Sequence, residues 1–266
     1  MFDLHGKVAV VTGASVGLGR GFAFAMARQG ADVAILARRK EKLDQVAEEV
    51  RSLGVKCLPV KCDVNDLEEV KAALDTILTE FGKVDILINN AGGALKMPKG
   101  EFCDMPLDYW DSQIALNLSG AAYLSHEAIK NMKEHNIPGR IVNISSIHGS
   151  VTWVKRKALP YCAGKGGIEM FTKTLAIEVA KYGIRVNCVA PGLILTGVMS
   201  RYSDRDVEGF RRKIAAGYLA TPEDIVPMIQ FFADVEKTKY IVGQTIAVDG
   251  GQSIDGAIDC MLEDEF

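Results

Sequence analysis

A chain of 266 residues, 48% of them hydrophobic and 24% charged, is long enough to bury a large core. Its formal net charge of −3 lacks the strong basic excess expected of proteins that bind nucleic acid or anionic membranes. No apolar run reaches the roughly 18 residues of a membrane span, and MFDLHGKVAVVTG carries no pattern of a secretion signal, so a cytoplasmic protein is expected.

The first β-branched run, KVAVVT (7–12), leads into TGASVGLGR, where Gly13, Gly17 and Gly19 bracket a turn before the apolar helix pattern GFAFAMARQG. A second strand, ADVAIL (31–36), ends in Ala37, Arg38, Arg39 and Lys40, and Leu43, Val46, Ala47, Val50 and Leu53 then recur at helical spacing. A third strand, VKCLPV (55–60), precedes Asp63 and Val64, and a fourth, VDILI (84–88), runs into NNAG, Asn89 to Gly92. NLSG, with Asn117, falls in the next helix. The fifth strand, GRIVNI (139–144), ends in ISS, and an irregular stretch (147–160) leads to YCAGK, Tyr161 to Lys165. Ile168, Phe171, Leu175 and Val179 continue a helix. The sixth strand, IRVNCV (184–189), passes into Pro191 and Gly192, a second irregular stretch covers 193–220, and QTIAV (244–248) is the seventh.

Strands that are apolar almost throughout, alternating with amphipathic helices, imply a parallel sheet covered on both faces with right-handed crossovers. The expected fold is therefore a Rossmann-like, doubly wound α/β sheet of seven strands. With no linker or repeat, a single domain is expected over 1–266, with a substrate loop at about 193–220. The six cysteines form no C-x-x-C pair and the four histidines (5, 126, 135, 148) have no ligand spacing, so reduced thiols and no metal are expected.

The glycines at the first strand-to-helix turn suit a dinucleotide pyrophosphate: they let the backbone approach it, and the helix N-terminus favours the anion. The second strand ends without the carboxylate that binds a ribose 2′-hydroxyl, and Arg38 and Arg39 offer guanidinium forks for a 2′-phosphate. NADP is thus the expected cofactor and NAD the alternative. Asp63 suits the adenine amino group.

Taken together, T-G-x-x-x-G-x-G, N-N-A-G, Asn117, Ser146, Y-x-x-x-K and P-G, in this order over nearly the whole chain, resemble the short-chain dehydrogenase/reductase family. That resemblance implies hydride transfer between a nicotinamide and a secondary alcohol or ketone, with Asn117, Ser146, Tyr161 and Lys165 as catalytic residues. Tyr161 would exchange the proton, Ser146 would hold the substrate oxygen, and Asn117 would order a water toward Lys165. An unperturbed phenol titrates at about 10, and a nearby ammonium lowers it; Lys165 lies one helical turn away, and Pro160, as first helical residue, would set Tyr161 near the positive dipole end. Ser145 is the competing serine. Ser146 lies fifteen residues before Tyr161, farther than the family usually has it. Cys162, without a histidine to activate it, reads as an ordinary thiol.

The resemblance also implies cofactor contacts from Gly13, Ser15, Gly17, Leu18, Gly19, Arg38, Arg39, Asp63, Val64, Asn90, Ala91, Gly92, Tyr161, Lys165, Pro191, Gly192, Ile194 and Thr196. It further implies a homotetramer or homodimer. A basic lip of Lys155, Arg156 and Lys157 beside Trp153, facing Arg201, Arg205, Arg211, Arg212 and Lys213, suggests an anionic hydroxysteroid such as a bile acid. EAIKNMKEHNIPGRIVNISSIHGSVTW instead resembles bacterial glucose dehydrogenases of the family, which keeps sugars and polyols open. A catalytically silent nucleotide-binding protein is the rival class, and the intact Asn117, Ser146, Tyr161, Lys165 set argues against it.

Overall fold

The computed structural model describes residues 3–94, 101–152, 158–197 and 202–254. Seven strands form its centre: β1 (Val8–Thr12), β2 (Asp32–Ala37), β3 (Cys57–Lys61), β4 (Ile86–Asn89), β5 (Arg140–Ile144), β6 (Arg185–Pro191) and β7 (Thr245–Val248). They lie in the order β3-β2-β1-β4-β5-β6-β7, and every adjacent pair is parallel. The connecting helices are α1 (Gly17–Arg28), α2 (Lys40–Arg51), α3 (Leu67–Phe81), α4 (Leu107–Ile114), α5 (Gly120–Glu134), α6 (Leu159–Val179), α7 (Asp204–Arg211) and α8 (Pro222–Ala233).

The two-residue period of the strands sorts their side chains into two apolar layers. Ala9, Val11, Val33, Ile35, Ile86 and Ile88 pack with α1, α2 and α8, whereas Val10, Ala34, Leu36, Leu87, Ile141 and Val186 pack with α3, α5 and α6. This is the Rossmann-like architecture expected from the sequence. One helical expectation fails at its edge: Leu43, Val46, Ala47 and Val50 are buried, but α2 stops at Arg51 and Leu53 is exposed. The turn through Gly54, at φ +88°, redirects the chain before Leu53 reaches the sheet.

The chain builds β1 to β3 outward in one direction, then returns to set β4 against β1 and proceeds the other way. The carboxyl ends of β1 and β4 therefore flank the crevice where an open α/β sheet binds ligands. The opposite rim is pinned by buried polar groups. Asp85 accepts from the Val8 N–H at 2.9 Å and pairs with Lys83. Arg140, at the start of β5, is almost wholly buried and donates to the carbonyls of Pro138, Gly139, Asp234 and Val235. Burial pushes its guanidinium down to about 10.

Candidate active site

At the crevice the glycine loop and NNAG are stitched to each other. The Thr12 hydroxyl accepts from the N–H of Asn90 (2.9 Å) and of Ala91 (2.8 Å), and the Asn90 amide donates to the Thr12 carbonyl at 2.8 Å. A Cβ on Gly19 would stand 2.5 Å from both the Gly13 carbonyl oxygen and Asn90 Nδ2, so this approach demands glycine. Gly13 itself sits at φ +66°. Helix α1 then starts with no side-chain cap and no acidic residue in its first turn. Its N–H groups are thus left for an anion, which fits a pyrophosphate. Arg39 donates to Ser15 in that loop at 3.3 Å, while Arg38 and Asp63 approach to 3.8 Å. Asp63 also accepts from the Asn65 N–H, and Asp66, not Asp63, caps α3. Val64 is buried, and Leu18 packs against the core under α1.

The sixth helix supplies the other half. Lys165 is 4% exposed, its Nζ donates to the Ile144 carbonyl at 2.8 Å and lies 5.8 Å from the centre of the half-buried Tyr161 ring. Desolvation pushes its ammonium down to about 8, which still leaves it protonated at neutrality. Gly92 lets the strand end pass: a Cβ there would stand 3.0 Å from both Lys165 Nζ and Asn117 Oδ1. Asn117 does not lie in a regular α-helix as expected. It occupies a π-helical turn, Ala115–Ser119, between α4 and α5, where its amide accepts from the Gly93 N–H (2.9 Å) and donates to the Gly93 and Gln113 carbonyls. Such a turn re-aims the chain by one residue.

The two serines of ISS are held differently. Ser145 is buried, and its single hydroxyl hydrogen is shared between the Glu169 carboxylate (2.8 Å) and the Lys165 carbonyl (3.0 Å), which binds β5 to α6. Ser146 opens a 3-10 turn, Ile147–Gly149, and its hydroxyl accepts from the His148 N–H at 3.2 Å. Leu159, not Pro160, is the first residue of α6, with Pro160 second; the dipole argument for Tyr161 survives that shift.

A family model described as enoyl-(acyl carrier protein) reductase matches residues 13–253. The chain is 36% identical to 7alpha-hydroxysteroid dehydrogenase of Bacteroides fragilis over 96% of its own length and 97% of the relative's. It is 33% identical to glucose 1-dehydrogenase 2 of Bacillus subtilis, covering 95% and 96%. A crystal structure of a short-chain type dehydrogenase/reductase from Mycobacterium marinum superposes with a TM-score of 0.87 at 33% identity, covering 94% of this chain and 97% of that one. The chain belongs to the short-chain dehydrogenase/reductase family.

In this short-chain dehydrogenase/reductase the third wall of the crevice follows β6. Ile194 is buried and bridges Ala220, and Thr196 lies nearest the Gly17 face of the phosphate loop, its Cγ2 3.7 Å from where a Cβ would stand. Gly192 is pressed against Asp249, and the Leu193 N–H donates to Gln252 at 3.2 Å. The basic lip is weaker than its sequence suggests, because Arg211 and Arg212 both pair with Glu208 on α7. Trp153, Lys155, Arg156, Lys157, Arg201 and residues 255–266 lie outside the described residues. Sequence reasoning missed several structural partners. Thr12 stood only as part of a motif, Ser145 only as the rival to Ser146, and Glu169 and Gln252 carried no signal. Nor did the buried network in which Asn89 donates to Asn143 and Ser125 and Asn143 donates to Thr172. Among the described residues no His, Cys, Asp or Glu cluster suits a metal ion, and no helix is long and apolar enough to cross a membrane.

Proposed function

We propose that this oxidoreductase interconverts a secondary alcohol and a ketone, with NADP preferred over NAD and Tyr161 as the proton-exchanging group. The observation that carries this reading is the buried Lys165 ammonium over the Tyr161 ring, at the same strand-end rim as the uncapped start of α1. A bound nicotinamide supplies the carbon that exchanges hydride. Tyr161 gives its proton to the carbonyl oxygen in reduction and removes it from the alcohol in oxidation. The Lys165 cation favours the phenolate and so brings the phenol closer to neutrality. Because the Ser146 hydroxyl already accepts from His148, its own hydrogen is left to donate to the substrate oxygen. Asn117, fixed to Gly93, orders a water that returns the proton to Lys165.

Arg38 and Arg39 support the NADP preference. Both stand at the end of a strand whose last residue is Ala37, and Arg39 already reaches Ser15. The substrate read first is a hydroxysteroid of bile-acid type, in line with the 36% identical relative; a sugar or polyol is the second reading, in line with the glucose dehydrogenase. A homotetramer or homodimer fits the outer face of α6, where Met170 and Ile177 are 61% and 79% exposed two turns apart.

The test is nicotinamide absorbance with a panel of bile acids, sugars, polyols and small ketones. Tyr161→Phe is expected to abolish turnover, at least a hundredfold, while cofactor binding stays intact. Retained turnover overturns the assignment. Ala37→Asp with Arg38→Ala is expected to reverse the preference from NADP to NAD, read as the ratio of the two kcat/KM values; an unchanged ratio places the 2′-phosphate elsewhere.

A further inference from the structure

His148 belongs to none of the roles above, yet it touches both groups assigned to the substrate oxygen. It is buried, with 7% of its surface exposed, in the 3-10 turn that follows β5. Its backbone N–H donates to the Ser146 hydroxyl at 3.2 Å. Its ring meets the Tyr161 ring edge to face, with centroids 6.3 Å apart and planes 71° apart, inside the range in which aromatic pairs attract. Its Nδ1 lies 3.2 Å from the Val151 carbonyl, which can only accept, so Nδ1 carries a hydrogen and the ring plane is fixed. The Tyr161 ring thus has both the Lys165 ammonium and this imidazole as neighbours.

The turn that carries His148 is itself anchored. Ser145, one residue before Ser146, is bonded to the Lys165 carbonyl and to Glu169, and Gly149 has no room for a Cβ, which would stand 2.3 Å from Glu169 Oε1. The imidazole is therefore referred to α6 from both sides of the turn. Ser146 and Tyr161 are fifteen residues apart in the chain, and a longer connection by itself fixes the relative position of its ends less well. The contact between the His148 and Tyr161 rings ties the two ends directly.

We propose that His148 is a positioning residue for the reaction: its ring sets the orientation of the Tyr161 phenol against Lys165, while its N–H aims the Ser146 hydroxyl. The imidazole neither donates nor takes the reacting proton. This rests on the reading of Tyr161 as the acid/base group, and the test separates the two.

The tyrosinate absorbance of each protein is titrated between about pH 6 and 11 and differenced against its own Tyr161→Phe counterpart, which isolates the Tyr161 phenol. Over the alkaline half of that range an imidazole is neutral, so its removal changes packing and not charge. Among the described residues Lys165, 5.8 Å from the ring centre, and Glu169, one turn further along α6, carry charge on the same helix, and these and Lys155, Arg156 and Lys157 in the sequence are the same in every variant. His148→Ala is expected to raise the Tyr161 midpoint by half a unit or more as the ring leaves the ammonium. His148→Phe, which keeps the ring edge, is expected to restore it to within about 0.2 unit, and His148→Asn, which keeps a donor without a ring, is not. An unmoved midpoint in His148→Ala, or equal rescue by Phe and Asn, overturns the proposal. A Tyr161 midpoint at or above the ordinary phenol value in the parent protein instead overturns the acid/base reading itself. Thermal melts of the three variants show whether each is folded, and a His148→Ala protein that fails to fold leaves the Phe and Asn pair to decide: the midpoint must be lower in Phe than in Asn.

Discussion

Lys165 is where the chemistry and the stability of this chain pull against each other. On the proposed mechanism its ammonium is needed beside Tyr161, yet it is buried, and burial lowers its pKa to about 8 from an ordinary value near 10.4. Below about pH 8 both native and unfolded states are protonated and the cost of the buried charge is fully present. Between pH 8 and 10.4 the native state releases its proton first, so the unfolded state binds more protons and stability rises with pH. Lys165→Met is accordingly expected to raise the melting temperature at pH 7, by about 2 kcal/mol of stability after loss of the bond to Ile144 is set against it. The gain shrinks toward pH 10 while turnover is lost at every pH. Thermal melts at the two pH values, with activity measured in parallel, check both halves; a lower melting temperature at pH 7 counts against a protonated buried lysine. Tyr161, Lys165, Ser146 and Asn117 could be picked from the sequence as candidates, because side-chain type and spacing are visible there. What holds them could not be. Thr12, Ser145, Glu169 and His148 act across roughly a dozen to eighty residues of chain, and nothing in their own neighbourhood marks the partner.

Among the elements, the strands were the easiest to read, since burial on both faces leaves apolar β-branched runs with sharp ends. All seven were located to within a few residues. The segment from Leu107 to Glu134 was harder: it reads as helix, but the π turn at Ala115–Ser119 has no signature of its own and follows from the need to reach Gly93. Helix α6 shows the reverse case, in which an apolar pattern overshoots. Its inner face takes Ile168, Thr172, Ala176 and Val179, while Met170 and Ile177 point outward with no described neighbour to bury them. If that outer face meets a second copy, Ile177→Glu places a carboxylate in an apolar contact and is expected to yield a smaller species by light scattering at micromolar concentration. An unchanged mass assigns the assembly to another face.

At the scale of the whole molecule, stability and chemistry occupy opposite rims of one sheet. The carboxyl rim carries the glycine loop, NNAG, ISS and the loop after Pro191; the amino rim carries Asp85 and Arg140, which tie β1, β4, β5 and the chain near Asp234 together. Arg140→Met removes donors from several carbonyls and is expected to cost about 3 kcal/mol in urea unfolding. The KM values and the cofactor ratio of the folded fraction should not move. A loss of specificity in step with stability would mean that the rims are coupled through the strands.

Such a division has a consequence for how this chain acquires a new substrate. The described residues of 193–220 and the turn after β5 make none of the bonds given above for Asp85 and Arg140 at the far edge, so exchanging them for those of a relative leaves those bonds in place. Descent into steroid, sugar or acyl chemistry then needs only altered loops, with no matching repair where the strands begin.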